Sequence, residues 1–136
     1  MLVDDDPAIR QILLRLLEEN DYLVLAASNG VEAIEVAAAA KPDLVLLDLN
    51  MPIKDGWETF KQLSTENPLL PFILITACPN QLFSALGAGV GALLEKPLDF
   101  EKLFITIESL LKEPVETRLE RVRKRDSSYI PPRAQV

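Results

Sequence analysis

The side chains best suited to chemistry stand where short apolar runs end. In chain order they are Asp4 and Asp5, Asp48, Thr76, and Lys96. Carboxylates form aspartyl phosphates when they act as nucleophiles, and Asp48 directly follows the apolar run LVLL. A lysine ammonium can balance phosphoryl charge, and a threonine hydroxyl can donate a hydrogen bond to a phosphoryl oxygen. These residue types together indicate phosphoryl chemistry, with Asp48 as the candidate nucleophile.

Three carboxylates in one place also indicate a metal ion. Closely packed carboxylates repel each other, and each raises the pKa of its neighbours unless a cation joins them. Mg²⁺ is a hard cation that takes oxygen ligands and keeps several of its waters. Asp4, Asp5 and Asp48 would supply such oxygens. The ion would in turn shield an incoming phosphoryl group from the charge of the acids.

The composition excludes several other classes of site. The 136 residues include no histidine, which rules out a Ser-His-Asp triad, a His-ligated zinc and a phosphohistidine of the chain's own. A net charge of −7 disfavours direct nucleic-acid binding. The single Cys78 cannot form an internal disulfide, which fits a reducing compartment. Since no apolar run is long enough to span a membrane and no signal peptide opens the chain, we expect a cytoplasmic protein without membrane contact.

Strand and helix patterns alternate five times along the chain. Apolar runs predict strands at 1–3, 22–27, 44–47, 72–76 and 92–95. Helical spacing predicts helices from Pro7 to about Asn20 and over 31–40, 57–65, 79–86 and 99–112. Asp6 and Asp99 are the expected N-caps, and Lys41-Pro42 ends the second helix. The pattern predicts an α/β fold, a single doubly wound domain whose five-stranded parallel sheet carries helices on both faces.

The expected fold would bring the chemical side chains together. In an open parallel sheet, sites form at the carboxyl ends of the strands, at the point where the connections reverse direction. Each of the candidate residues ends or follows a predicted strand. We therefore expect three carboxylates, a hydroxyl and an ammonium group to meet at one edge of the sheet.

Four segments carry a resemblance to a known family. LVDDDP, VLLDLNMPIKDG, ILITA and LLEKPL, taken in this order, resemble the receiver domain of two-component response regulators over residues 1–112. The resemblance implies the strand order 2-1-3-4-5. It also implies that Asp48 is the phosphoacceptor and a metal ligand, with Asp5 and the backbone carbonyl of Asn50 as further Mg²⁺ ligands and Asp4 reaching the ion through water. Thr76 would be the switch hydroxyl and Lys96 the phosphate-binding lysine. The resemblance further implies that the peptide bond before Pro97 is often cis.

The same resemblance implies a function and partners. The chain would be a phosphorylation-dependent signalling switch that accepts a phosphoryl group onto Asp48 from a phosphohistidine of a partner. That partner would be a sensor histidine kinase or a histidine phosphotransfer protein. Phosphorylation would change a partner-binding face over residues 79–112, where a homodimer or an effector would bind. The domain would not be an enzyme beyond phosphotransfer to itself and autodephosphorylation.

Three features depart from the family pattern. The first strand begins at Met1 and lacks residues that a central strand normally has, which is expected of a trimmed or misassigned start. The interval from Thr76 to Lys96 is shorter than usual, which predicts a truncated fourth helix. Leu93 stands three residues before the lysine, where the family has a switch aromatic, so we expect a smaller or altered movement.

The composition changes after residue 113. Residues 1–113 carry 18 acids and 8 bases, whereas residues 114–136 carry 3 acids and 6 bases. Val115, Leu119 and Val122 keep helical spacing. We therefore predict a receiver domain over 1–113 and a basic, partly helical tail or linker over 114–136.

Two alternative functions remain open on the sequence. One is a Mg²⁺-dependent phosphohydrolase of the haloacid dehalogenase type, which also forms an aspartyl phosphate. That family has a D-x-D motif at its nucleophile, and the second Asp transfers a proton as the acid/base. This chain has Asn50 in the second position, and an amide cannot transfer that proton. The other is a degenerate receiver that acts only as an interaction module. The presence of the complete set of acids, threonine and lysine counts against this alternative.

Overall fold

A five-stranded parallel sheet forms the centre of the molecule. The structure, a computed structural model, describes residues 1–51, 56–77 and 89–124. The strands are β1 (Leu2–Val3), β2 (Ala26–Ala27), β3 (Val45–Asp48), β4 (Phe72–Thr76) and β5 (Ala92–Glu95). They lie in the order β2-β1-β3-β4-β5, and every neighbouring pair is parallel. The predicted sheet and its order are confirmed.

Helices cover both faces of this sheet. They are α1 (Pro7–Glu19), α2 (Gly30–Ala40), α3 (Gly56–Glu66), α4 (Phe100–Lys112) and α5 (Val115–Arg123). One apolar cluster joins Val45 and Leu47 of β3 to α2 and α3, and the other joins Leu46 to α1 and α4. Successive residues of β3 thus face opposite cores, which explains why residues 45–47 are all apolar instead of alternating with polar residues.

Side-chain caps begin the helices where the sequence predicts them. The carboxylate of Asp6 accepts hydrogen bonds from the backbone N–H groups of Ala8 and Ile9, and Asp99 accepts one from Lys102. α2 begins one residue earlier than predicted, at Gly30, because Asn29 caps it by accepting from the Glu32 N–H. At the other end of α2, Lys41 adopts a left-handed conformation with φ 49° ahead of Pro42.

The predicted second strand is too long. The sequence predicts a strand over 22–27, whereas only Ala26 and Ala27 pair, with Leu2 and Val3 of β1. A strand needs a neighbouring backbone for its hydrogen bonds. Since β1 is two residues long, the chain before Ala26 has no strand beside it to continue the ladder, and the side chain of Leu23 is 97% exposed.

The chain continues beyond Pro114 as the short helix α5, which has no buried residue along its whole length. The helix predicted over 79–86 lies outside the described residues.

Within the described part of the chain, no helix is long and apolar enough to cross a membrane.

Candidate functional site

The strand ends bring the predicted site residues to one edge of the sheet. Asp48 and Thr76 are the last residues of β3 and β4, Asp4 directly follows β1, and Lys96 directly follows β5. Ladder hydrogen bonds fix these exits relative to each other. The Leu49 N–H donates to the Ile75 carbonyl over 2.9 Å, and the Lys96 N–H donates to the Thr76 carbonyl over 2.8 Å.

Three carboxylates form an acidic pocket at this edge. Asp4, Asp5 and Asp48 each offer a carboxylate oxygen, and these oxygens lie within 4.8 Å of one another. Asp4 and Asp48 are each 2% exposed, whereas Asp5 is exposed to solvent. The pocket therefore has two buried acids and one acid that is open to solvent.

Burial has a direct electrostatic consequence for Asp4. Loss of solvation raises the pKa of this carboxyl group, and the charge of Asp48 raises it further. A hydrogen bond from the Asp6 N–H to Asp4 Oδ1, 2.9 Å long, opposes the rise, as does the charge of Lys96. The folded protein thus disfavours the charged form of Asp4, and a bound cation would stabilise that form.

Both carboxylate oxygens of Asp48 have a partner. Oδ1 accepts a hydrogen bond from the Asn50 backbone N–H at 2.9 Å, and Oδ2 lies 3.1 Å from the Lys96 ammonium nitrogen. The Lys96 side chain remains 31% exposed, so one end of this ion pair is buried and the other reaches solvent. The contacts hold the carboxylate in one orientation and place a cation beside one of its oxygens.

Thr76 and Leu93 complete the predicted set on β4 and β5. Thr76 is fully buried, and its backbone pairs with Glu95 in the sheet register. Leu93, in the place of the expected aromatic residue, is half-buried and packs against the cluster between the sheet, α2 and α3. The peptide bond between Lys96 and Pro97 is cis, as the family resemblance implies.

Two residues support the site in ways that the sequence reasoning missed. The Asn50 side-chain oxygen accepts a hydrogen bond of 3.4 Å from the Ala77 N–H, so it connects the chain leaving β3 to the chain leaving β4. A Cβ atom at Gly56 would lie 2.4 Å from the Leu49 Cα and 2.7 Å from the Asp48 carbonyl oxygen. Only glycine lets α3 begin this close to the phosphoacceptor candidate; the glycine in KDGW was the available signal.

The donor set fits a hard divalent cation. All three candidate ligand groups are carboxylates, which suit Mg²⁺ and not the softer metals that take sulfur or imidazole ligands. Their combined charge exceeds that of the Lys96 ammonium group, which lies beside Asp48. An acidic triad of this kind is typical of Mg²⁺ binding.

Comparisons with known proteins agree with the geometry. The family model of the response regulator receiver domain matches residues 1–108. The response regulator MprA of Mycobacterium ulcerans (strain Agy99) is 38% identical over 129 residues, which are 93% of this chain and 54% of that protein. The chain thus spans about half the length of the curated relatives it matches.

Solved structures lead to the same family. The response regulator TrrA from Thermotoga maritima, determined in complex with Mg²⁺-BeF, superposes with a TM-score of 0.74 at 29% identity over 80% of this chain and 95% of that one. The receiver domain of NtrX from Brucella abortus gives a TM-score of 0.78 at 25% identity over 83% and 98%. With the matching family model and the acidic pocket at the sheet edge, these similarities establish that the chain belongs to the response regulator receiver domain family.

Proposed function

We propose that Asp48 is the phosphoacceptor of a Mg²⁺-dependent signalling switch and that it receives its phosphoryl group from a partner's phosphohistidine. The observation that carries this assignment is the environment of Asp48. It is the buried acid whose two oxygens contact Lys96 and the Asn50 N–H, and it lies within 4.8 Å of two further carboxylates. Within the described residues, the Asp48 carboxylate forms an ion pair with the Lys96 ammonium group.

The metal ligands in this proposal are Asp5, Asp48 and the backbone carbonyl of Asn50, with Asp4 reaching the ion through water. The closeness of the three carboxylates supports the set, and TrrA, a structural relative, was determined with Mg²⁺-BeF. Bound Mg²⁺ supplies positive charge that reduces repulsion between the acids and a phosphoryl group. Asp5, at the opening of the pocket, is the ligand best placed to take up an ion from solvent.

The proposed transfer of the phosphoryl group needs no reactant besides the donor histidine and Asp48. A bond forms between one Asp48 carboxylate oxygen and phosphorus while the bond between phosphorus and the donor histidine nitrogen breaks. The Lys96 ammonium, 3.1 Å from Oδ2 beforehand, then balances charge on the transferred oxygens. The Thr76 hydroxyl, on the neighbouring strand, donates a hydrogen bond to one of them.

Family membership gives the coarse identity of the donor, because a receiver domain implies a histidine kinase partner. We propose further that either the kinase or a histidine phosphotransfer protein serves as donor in the cytoplasm. The output face would be residues 79–112, of which the structure describes 89–112, and it would bind a second copy or an effector. Residues 1–113 would be the receiver domain and 114–136 its basic tail, with no direct contact to nucleic acid.

The two alternatives from the sequence lose support. A receiver domain is a phosphoacceptor rather than a catalytic enzyme, which sets the haloacid dehalogenase type aside. Asn50 agrees with this conclusion, since its side chain accepts from Ala77 and offers no acidic proton. The acidic pocket is intact, which favours phosphorylation-dependent signalling over a purely structural interaction module.

Incubation with acetyl phosphate, followed by intact-mass measurement, tests the function. We expect one phosphoryl group per chain in the presence of Mg²⁺ and none when the metal is removed with EDTA. With acetyl phosphate present, phosphate should be released no faster than the isolated adduct decays. Release much faster than that decay would instead indicate a hydrolase, and complete absence of an adduct with Mg²⁺ would indicate a degenerate receiver.

A further inference from the structure

The joint between α4 and α5 needs an explanation that apolar packing does not give. α4 ends at Lys112, Glu113 and Pro114 have extended backbones, and α5 begins at Val115. α5 has nine residues and none of them is buried. A helix of this length is unstable in water on its own, because the cost of starting it exceeds what so few residues return. Some other interaction must therefore hold α5 in place.

Glu113 supplies that interaction through two arginines. Its Oε2 lies 2.5 Å from Arg121 Nη2, and its Oε1 lies 3.4 Å from Arg118 Nε. The three side chains are only 12%, 21% and 20% exposed, in the order Glu113, Arg121, Arg118. Oε1 and Arg118 Nε are buried and have no hydrogen-bond partner within the described residues. Their mutual attraction is what offsets the loss of water around both atoms.

Arg118 also contacts the preceding helix directly. Its Nη2 donates to the Leu110 carbonyl over 2.9 Å. This carbonyl belongs to the last turn of α4 and also accepts a longer bond of 3.4 Å from the Glu113 N–H. One arginine thus caps α4 while it pairs with Glu113. The contact connects the two helices across the break at Pro114.

The contacts of Glu113 with Arg118 and Arg121 do not involve the apolar side of α5. Arg118 and Arg121 lie one turn apart, and at 3.6 residues per turn their face is about a quarter of a turn from the stripe of Val115, Leu119 and Val122. Val115 and Leu119 remain 55% and 37% exposed. The ion pairs with Glu113, and not burial of this stripe, therefore determine the orientation of α5.

We propose that Glu113 anchors a charge-locked joint that fixes α5 in one orientation, so that α4 and α5 move as one unit. A displacement of α4 would then be carried into the tail instead of being lost at a flexible linker. The joint involves none of the acidic-pocket residues, so its test and the test of Asp48 phosphorylation succeed or fail independently.

Amide hydrogen exchange of the full chain tests the joint. In the unmodified protein, amides within 115–123 should exchange more slowly than those of an unstructured segment. Glu113→Gln removes the charge with little change of shape, and we expect exchange in α5 to become about tenfold faster, since hydrogen bonds to charged groups are the stronger kind. Buried amides of α4 should be unchanged.

The chain offers a matched control. Glu120 pairs with Lys124 at 3.4 Å within the same segment, but their side chains are 63% and 76% exposed. Glu120→Gln should leave exchange in α5 unchanged, because solvated pairs contribute little. Emission from Trp57, the single tryptophan, reports whether each variant keeps its core.

Arg121→Gln examines the joint from the other helix, should Glu113→Gln disturb folding. It should accelerate exchange in α5 as Glu113→Gln does. The proposal is overturned if α5 is unprotected in the unmodified protein. It is equally overturned if Arg121→Gln and Glu120→Gln give the same exchange in α5.

Discussion

At the scale of single residues, Asp4 and Asp5 are neighbours of identical type in opposite environments. Asp4 is 2% exposed and Asp5 is exposed, because the first closes the end of β1 and the second turns toward solvent. Burial raises the pKa of Asp4 first of all, while the charges of Asp48 and Asp5 raise it further. Removing one acid should therefore relieve repulsion and weaken metal binding at the same time.

Replacing Asp5 separates these two effects. Asp5→Asn deletes a proposed oxygen ligand, so Mg²⁺ should raise the melting temperature less than in the unmodified protein. Without metal, the variant should be more stable by about 1 kcal/mol, because like-charge strain is removed. Thermal melts with and without Mg²⁺ measure both changes. A full Mg²⁺-dependent rise in the variant would exclude Asp5 as a ligand.

Residue types at strand ends could be read from the sequence, because each candidate directly follows an apolar run. Asp4, Asp48 and Lys96 were found in this way, and the structure brings them to one edge. The contact between the Asn50 side chain and the Ala77 N–H could not be found. It depends on the spacing of two loops that are 27 residues apart in the chain, and no local pattern records that distance.

At the scale of elements, the start of α3 fixes the end of β3. The Gly56 N–H donates to the Leu49 carbonyl over 3.2 Å, and the position has no room for a Cβ atom against the backbone of Asp48 and Leu49. Backbone atoms cannot yield as the end of a long side chain can. The close approach of helix and strand therefore depends on glycine.

Gly56→Ala should disturb both stability and site. We expect a loss of about 3 kcal/mol in the free energy of unfolding, at the upper end of the range for overpacking. Mg²⁺ binding should also weaken, because the Asp48 backbone must shift. Gly91→Ala is the comparison: its Cβ would meet the Leu110 side chain and the Phe72 carbonyl at 3.0 Å, far from the pocket. Urea denaturation and Mg²⁺ titration of both variants decide the point, and an equal effect on Mg²⁺ binding would contradict it.

The cap of α2 gives a pH-dependent prediction. Glu32 Oε2 accepts hydrogen bonds from the Ser28 hydroxyl at 2.6 Å and from the Ser28 N–H at 3.1 Å, and these bonds lower the pKa of Glu32 from its ordinary value of 4.5. A lowered pKa means that the folded state favours the charged form. The stabilisation is therefore present above pH 4.5 and is lost as the pH falls through the folded pKa.

Glu32→Gln should lower stability by about 0.5–1 kcal/mol at neutral pH, in the lower part of the range for capping interactions. In acid below the folded pKa of Glu32, the difference from the unmodified protein should shrink toward zero. Glu35→Gln, an exposed position on the same helix, should show no such pH dependence. Urea denaturation across the acidic range measures both variants, and a difference that persists in acid would refute the capping role of the charge.

At the scale of the whole molecule, the alternation of patterns predicted a doubly wound α/β domain, but the residues alone did not give the strand order. That order came from the resemblance to receiver domains, since periodicity does not say which strands are neighbours. The length of β2 was also beyond local reasoning. The run at 22–27 is apolar throughout, yet it pairs only where Leu2 and Val3 lie beside it.

Phosphorylation should tighten one side of the molecule. In the proposed switch, a phosphoryl group on Asp48 would contact Lys96 and Thr76 differently from the carboxylate, and such differential contacts shift an equilibrium between conformations. With beryllofluoride and Mg²⁺, amide exchange should slow over residues 76–98 and stay unchanged in α2. The half-buried Leu93 moves less surface than an aromatic ring, so we expect a modest change. Protection confined to the acidic pocket would contradict the switch.

Intact-mass measurement after incubation with acetyl phosphate and Mg²⁺ identifies the residue that accepts the phosphoryl group. The unmodified protein should gain one phosphoryl group, and Asp48→Asn should gain none. Asp43→Asn is the control, because Asp43 is an exposed acid that precedes β3 at the opposite end of the strand from Asp48; it should be phosphorylated like the unmodified protein. An undiminished adduct in Asp48→Asn would show that another residue accepts the phosphoryl group.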